Sequence, residues 1–335
     1  MLKKIFFISL IIGIILGIFV VVIYKSNNIN TSSDYILYLE KDVPFENVMD
    51  SLEKHKVLKN SLSATIFLTS YPIKNVKAGR YKLNKSMSNL ELFRKLKYGF
   101  EDPIKLTIST ATFIDEIAFK IEQKFRFKAD TILQFLNTDN TKAKYNFSHE
   151  QRLCNIYPMT YDIPWNSSLE QLFDKINKGK TDFWTPERKQ KAQNMNMSEN
   201  DVYILASMIQ KEYSKKEERS KIAGVLMNRL QINMPLQIDA TCKYATKDFS
   251  AKRVTGTHLR CASPYNTYTN RGLPPGPICI PELSTIDACL NYEKHDFLYY
   301  CADPSLNGFH LFNKTWEDHQ AVAQNYYKKV NSLNL

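Results

Sequence analysis

The sequence predicts an α+β protein with a single N-terminal transmembrane helix, a small α+β module and a larger mixed α+β region. Three observations predict it. An uncharged, mostly apolar run, IFFISLIIGIILGIFVVVIY, occupies residues 5–24. Short strand-like runs alternate with helical periodicity over residues 35–104. Longer helical patterns, broken by a Pro-rich loop, fill residues 105–335.

Lys3 and Lys4 precede the apolar run and Lys25 follows it. At about 1.5 Å per residue the run is about 30 Å long, the thickness of a hydrocarbon core. A cleaved signal peptide has a shorter apolar region and an A-x-A-like site, whereas YKSNNINTSS follows here. The run therefore reads as an uncleaved, single-pass anchor. Two lysines in a very short tail put residues 1–4 in the cytoplasm, although Lys25 weakens the asymmetry. Residues 25–34 are then a polar linker, and the bulk of the chain is extracytoplasmic (periplasmic), held at the cytoplasmic (inner) membrane. With 45 Lys+Arg against 34 Asp+Glu the net charge is +11. Such an excess suits nucleic acid, an anionic membrane surface or an anionic polymer such as cell wall. The predicted compartment argues against nucleic acid.

Six cysteines lie in the exported part: Cys154, Cys242, Cys261, Cys279, Cys289 and Cys301. None forms a C-x-x-C pair or stands at zinc-finger spacing from a histidine, so no metal site is expected. An oxidising compartment permits disulfides. Cys242 and Cys261 bracket a polar segment and are the favoured pair, with buried free thiols as the standing alternative.

In order along the chain, YILYLE (35–40) reads as a strand and Phe45 to Lys54 as a helix, with a weaker helix over Leu62 to Thr69. Tyr81 and Leu83 mark an extended piece, and MSNLELFRKL (87–96) a helix with Ser86 or Ser88 as its N-cap. Lys105 to Ser109 is strand-like and Phe113 to Phe125 helical. Residues 129–193 read as helices with one loop, LCNIYPMTYDIPWNSS. Ser198 with Asp201 three residues on resembles a capping box opening the next helix. A further helix covers Lys216 to Leu230. The segment SPYNTYTNRGLPPGPICIPE holds Pro264, Pro274, Pro275, Pro277 and Pro281, too many for regular structure; an ordered loop of this kind tends to line a groove. A helix (Leu283 to Leu290), a strand (Phe297 to Ala302), strand-like GFHLF and a helix from Trp316 complete the chain.

In ILASMIQKEY (204–213), Leu205, Met208, Ile209 and Glu212 share one helical face. An acid at the end of an apolar face is either a solvated last turn or a carboxylic acid whose pKa is raised for proton transfer. Periodicity does not choose between them. No P-loop, G-x-G-x-x-G, G-x-S-x-G or H-E-x-x-H occurs, and no cofactor is expected.

ILASMIQKEY, then ERSKIAGVLMNRLQINMPLQIDAT, SPYNTYTNRGLPPGPI and GFHLFNKTWEDH together resemble the endolytic murein transglycosylases of the MltG (YceG-like) family. AGRYKLNKSMSNLELFRKLKYG resembles that family's LysM-like module. The resemblance spans about residues 35–330. It implies a LysM-like module at 35–104 and a YceG-like catalytic region at 105–335, with its catalytic core at 197–335. It also implies lyase cleavage of the MurNAc–GlcNAc bond of peptidoglycan, leaving 1,6-anhydro-MurNAc ends, in cell-wall biogenesis and glycan-strand termination. Glycan strands are the implied substrate, and the peptidoglycan synthases are expected partners. A non-catalytic peptidoglycan-binding scaffold is the rival reading.

One acid suffices for such chemistry. The sugar's own C6 hydroxyl attacks C1, so no second carboxylate is needed as nucleophile. The resemblance places Gln210 on a position that is often Glu, and Gln cannot transfer the proton, which leaves Glu212 as the catalytic acid and then base. Glu217 and Glu218 of SKKEERSK are the competing acids; Glu218 matches an E-R position, but flanking Lys and Arg would hold it ionised, so it reads as a structural or positioning ion-pair member. Gln237, Asp239 and Thr241 of LQIDAT, and Ser263, Tyr265, Asn266 and Tyr268 of SPYNTY, either hold sugar or stabilise their loops. Asn228, Arg229, His310 and His319 match too and read as architecture. The chain departs from the family at Leu153-Cys154-Asn155, where E-G is common, and at Ile280, where Asn is usual.

Overall fold

The computed structural model describes residues 2–25, 29–59, 73–212, 215–251 and 253–332. Helix α1 (Leu2–Lys25) runs 24 residues. Its large side chains from Phe6 to Val21 are exposed, Ile11 at 44% and Phe6 at 70%, Tyr24 is half-buried against the first core, and the Ser9 hydroxyl donates back to the Phe6 carbonyl at 2.8 Å. Among the described residues no helix is long and apolar enough to cross a membrane. Of the span that the sequence predicts over 5–24, the structure thus describes an exposed apolar middle. The helix expected over Leu62 to Thr69 lies outside the described residues.

The chain divides into two compact units, 1–105 with 162–168, and 106–161 with 169–335. In the first, β1 (Tyr35–Leu39) is followed by β2 (Val43–Pro44), α2 (Phe45–Lys54), β3 (Asn75–Val76), β4 (Gly79–Leu83) and α3 (Asn89–Tyr98). β1 pairs antiparallel with β4, Leu37 opposite Tyr81 and Tyr35 opposite Leu83, and β2 pairs with β3. The period-two pattern sends Leu37, Leu39, Tyr81 and Leu83 inward to meet Phe45, Val48, Leu52, Leu92, Phe93 and Leu96 of the two helices. Ser88 caps α3 with a reciprocal Ser88–Glu91 capping box, and Gly99 ends it in the left-handed region at φ 65°.

β5 (Ile104–Thr107) pairs with β6 (Thr160–Ile163). The second unit continues with α4 (Ile114–Glu122), α5 (Ala129–Asn137), α6 (Asp139–Tyr145), a 3-10 turn at Arg152–Asn155, α7 (Leu169–Phe183) and α8 (Pro186–Asn194). The segment read as one loop, 153–168, therefore contains the end of that turn and a strand. Next come α9 (Glu199–Lys211), a 3-10 turn (Lys216–Glu218), α10 (Arg219–Gln231), α11 (Asp239–Thr246), α12 (Gly256–Leu259) and α13 (Leu283–Leu290). β7 (Tyr299–Ala302), β8 (His310–Asn313) and α14 (Trp316–Ser332) close the chain. No helix is expected from the sequence at α11.

The core of this unit forms around α9. Val202 through Ile209 are all buried, Ser207 included, so α9 is enclosed on every side and the apolar face read from its sequence is only part of what it buries. Ser198 caps it with the predicted Ser198–Asp201 box. Gly224 lets α10 pass close beneath residues 293–295; a Cβ there would collide with the Glu293 carbonyl and the His295 ring. All six cysteines are free. Cys242 donates to Asn266 Oδ1 at 3.3 Å, so the pairing favoured with Cys261 is not formed.

Candidate active site

Glu212 is the first residue past α9. Its backbone leaves the helix at φ −74°, ψ 139°, while its N–H still donates to the Ile209 carbonyl. The carboxyl thus stands at the end of the buried helix, not on a face along it. Its wall is shared by two cavities. One, of about 440 Å³, is lined by Lys211, Lys243, Tyr244, Phe249 and Tyr326. The other, of about 260 Å³, is lined by Arg229, Gln237, Tyr268, Tyr300, Trp316 and His319. Glu212, Asp239, Ala302 and His310 line both. Aromatic faces beside cations and amides are the groups that hold pyranose rings, which bury apolar C–H faces and present hydroxyls.

Burial raises the Glu212 pKa from an ordinary 4.5 to about 7, and the negative charge of Asp239 pushes in the same direction; a hydrogen bond from Tyr300 and the charge of Lys243 pull against it. Near neutral pH such a group is present in both protonation states, which a residue acting as acid and then base requires. Tyr300 is half-buried in the cavity wall; desolvation and the neighbouring Glu212 charge hold its pKa well above the usual phenol value, so it remains a donor. The Tyr268 hydroxyl donates to Asp239 Oδ1 at 2.5 Å, fixing that second carboxyl.

Gln210, two residues earlier, faces elsewhere. Its Oε1 accepts from the Glu282 N–H at 3.1 Å and the Thr285 hydroxyl at 2.6 Å, at the start of α13. Gln237, Asp239 and Tyr268 reach the cavities, whereas Thr241, Ser263 and Asn266 do not. Thr241 is fully buried, donating to the Ile238 carbonyl at 2.7 Å and sharing a hydrogen bond with Thr267 at 2.9 Å. Asn266 donates to the Leu259 and Cys261 carbonyls, each at 3.0 Å, and Ser263 accepts from the Tyr265 N–H within its turn. Tyr265 packs on Tyr244 at 4.9 Å and lines a neighbouring cavity of about 290 Å³. Of the seven candidates in LQIDAT and SPYNTY, Gln237, Asp239 and Tyr268 therefore reach the Glu212 cavities, Tyr265 lines a neighbouring one, and Thr241, Ser263 and Asn266 hold loops.

Glu218 differs from its expected surroundings. It is buried, and its partner is His310: Nδ1 and the backbone N–H of His310 each approach a different carboxyl oxygen at 2.9 Å. The flanking Lys216 and Arg219 pair with Glu282 instead. Arg229 donates to the Leu298 carbonyl at 2.6 Å and the Leu236 carbonyl at 2.7 Å while also lining the smaller cavity. Tyr299, Tyr300, Tyr244, Phe249 and Tyr326 line the cavities and lie in no motif; an aromatic-rich C-terminal hairpin is the one signal for Tyr299 and Tyr300. Another cavity, about 370 Å³ around Met195, Met227 and Tyr292, has a single carboxylate, Asp201, already committed to capping α9. No three His, Cys, Asp or Glu side chains gather as a metal site among the described residues.

The second unit is a mixed helix-and-hairpin domain with a groove that opens on the Glu212 carboxyl. The model of the YceG-like family matches residues 37–325, and the chain belongs to that family. A Streptococcus pneumoniae protein named endolytic murein transglycosylase is 28% identical over 320 residues, 84% of this chain and 56% of that protein. A Bacillus subtilis protein of the same name is 29% identical over 298 residues, covering 84% of this chain and 81% of its own. The chain thus spans a little over half of the pneumococcal relative. The crystal structure of a yceG-like protein from Listeria monocytogenes superposes with a TM-score of 0.57 at 27% identity, covering 87% of this chain and 99% of that one.

Proposed function

We propose that this chain is a membrane-anchored endolytic transglycosylase acting on peptidoglycan glycan strands, with Glu212 as its single acid and base. The observation that carries the reading is the placement of Glu212, raised to about 7, in the wall common to two sugar-sized cavities. A strand lying across both cavities brings one glycosidic bond to that carboxyl. Glu212 gives its proton to the glycosidic oxygen as the bond from C1 breaks. The C6 hydroxyl of the same muramyl sugar attacks C1, and its proton passes to the Glu212 carboxylate. The acid is restored, no water is consumed, and the new end is a 1,6-anhydro sugar. Family membership and the names of the relatives support this chemistry. The apolar α1 supports anchoring at the cytoplasmic membrane, which would confine cutting to nascent strands, and residues 35–104 are the LysM-like module that would hold glycan.

Muropeptide mass spectrometry of digested glycan strands tests it. Wild type should release 1,6-anhydro ends and Glu212→Gln should release none. Equal product from both removes Glu212 from the mechanism, and no product from either leaves a glycan-binding scaffold. Hydrolysis is a second reading, favoured by Asp239, a carboxyl near enough to push up the Glu212 pKa. It predicts reducing ends, abolished by Asp239→Asn.

A further inference from the structure

The Glu218–His310 pair is expensive to bury unless it does something besides hold the fold, because desolvating a charged or polar pair offsets most of its attraction. Glu218 is 8% exposed. Both of its carboxyl oxygens go to one residue, the Nδ1 and the backbone N–H of His310. A carboxylate only accepts, so the hydrogen of this contact sits on Nδ1. The ring has one other polar atom, Nε2, which has no hydrogen-bond partner among the described residues. His310 lines both cavities together with Glu212. Its ring is held on a second side by Tyr300, edge-on at 5.5 Å and 83°, and Tyr300 is the residue whose hydroxyl bonds Glu212. The β7–β8 register sets His310 directly opposite Ala302, the other hairpin residue common to both cavities.

Resting on the transglycosylase reading, we propose that His310 contacts the sugar at the cleavage point through Nε2, and that Glu218 is the positioning residue that fixes its tautomer and orientation. With Nδ1 committed to Glu218, Nε2 is the ring atom left to meet a sugar hydroxyl. The arrangement parallels the way a second carboxylate orients an imidazole in other sites, where the remote nitrogen's bond decides what the near one can do. Glu218 acts only through His310.

Two amide replacements separate this role from a structural one. The shorter amide of His310→Asn lies where Nδ1 was and keeps the bond to Glu218, whereas the longer amide of His310→Gln reaches the Nε2 position. His310→Asn should fold, melt within about 3 °C of wild type and lose about 10- to 100-fold in kcat/KM, the range of one hydrogen bond made to the reacting sugar. His310→Gln should recover most of that loss, and Glu218→Gln combined with His310→Asn should cost no more than His310→Asn alone. His310→Asn with kcat/KM within about twofold of wild type overturns the proposal. Should the variants fail to fold, the wild-type full chain in detergent, labelled with 15N-histidine, decides: the His310 Nε2 resonance should shift on adding an N-acetylglucosamine tetramer, and a resonance unmoved at saturation overturns it. Product from Glu212→Gln would sink the transglycosylase reading separately, whatever position 310 does.

Discussion

Gln210 and Glu212 stand two residues apart and serve opposite ends of the chemistry. Gln210 Oε1 is spent on the Glu282 N–H and the Thr285 hydroxyl, at 3.1 and 2.6 Å, while Glu212, just beyond the helix, opens on two cavities. An acid at 210 would face the start of α13, not the glycan. Adding Gln210→Glu to Glu212→Gln should therefore restore no cleavage, as anhydro-end counts would show. Gln210→Ala should leave two buried donors unpaired and lower unfolding stability by about 1–3 kcal/mol, read by chemical denaturation.

Glu212 also ties stability to pH. Folded, it holds its proton to about 7; unfolded, to about 4.5. Between those values unfolding releases a proton, so its contribution is complete below about pH 4.5 and is lost as pH rises through about 7. A gap of that size corresponds to at most about 3 kcal/mol. Glu212→Gln, neutral throughout, should melt with wild type near pH 4 and above it near pH 8, measured by calorimetry. Equal melting temperatures at both would mean an unperturbed carboxyl.

The Tyr300 hydroxyl holds the Glu212 pKa down. Tyr300→Phe removes that donor, so the alkaline limb of kcat/KM against pH should move upward by about 1–2 pH units, the effect of one hydrogen bond to a charged group. A downward move would place the hydroxyl on the protonated form instead.

The six cysteines are free, four of them buried: Cys154, Cys242, Cys279 and Cys289. Burial pushes Cys154 and Cys279 each up to about 12, which makes their thiolates scarce and oxidation slow. Thiol titration after denaturation should find all six, and a reductant should leave the melting temperature unchanged.

Much of the architecture was legible because local chemistry decided it. Ser198 with Asp201 announced α9, a serine at 86 or 88 announced α3, and YILYLE with Tyr81 and Leu83 marked extended pieces that the structure pairs. What stayed hidden depended on distant contacts. α11 has Ile238 as its N-cap and enters from Gln237 at φ 54°, so no capping residue advertised it. Glu218 misled because its neighbours in sequence are Lys and Arg, while its partner lies 92 residues away. Tyr300 and His310 reach Glu212 only through the β7–β8 register. Thr241 and Asn266 matched the family as well as Gln237 did, and only burial separates loop anchors from groove residues.

The central claim is that the sugar's own hydroxyl, not water, captures C1 under a single acid. Digestion of purified glycan strands in 18O-labelled water, followed by mass spectrometry of the new muramyl ends, measures that capture directly. Anhydro ends carrying no 18O, absent from Glu212→Gln, are the expected result; reducing ends carrying 18O would show that water captures C1 instead.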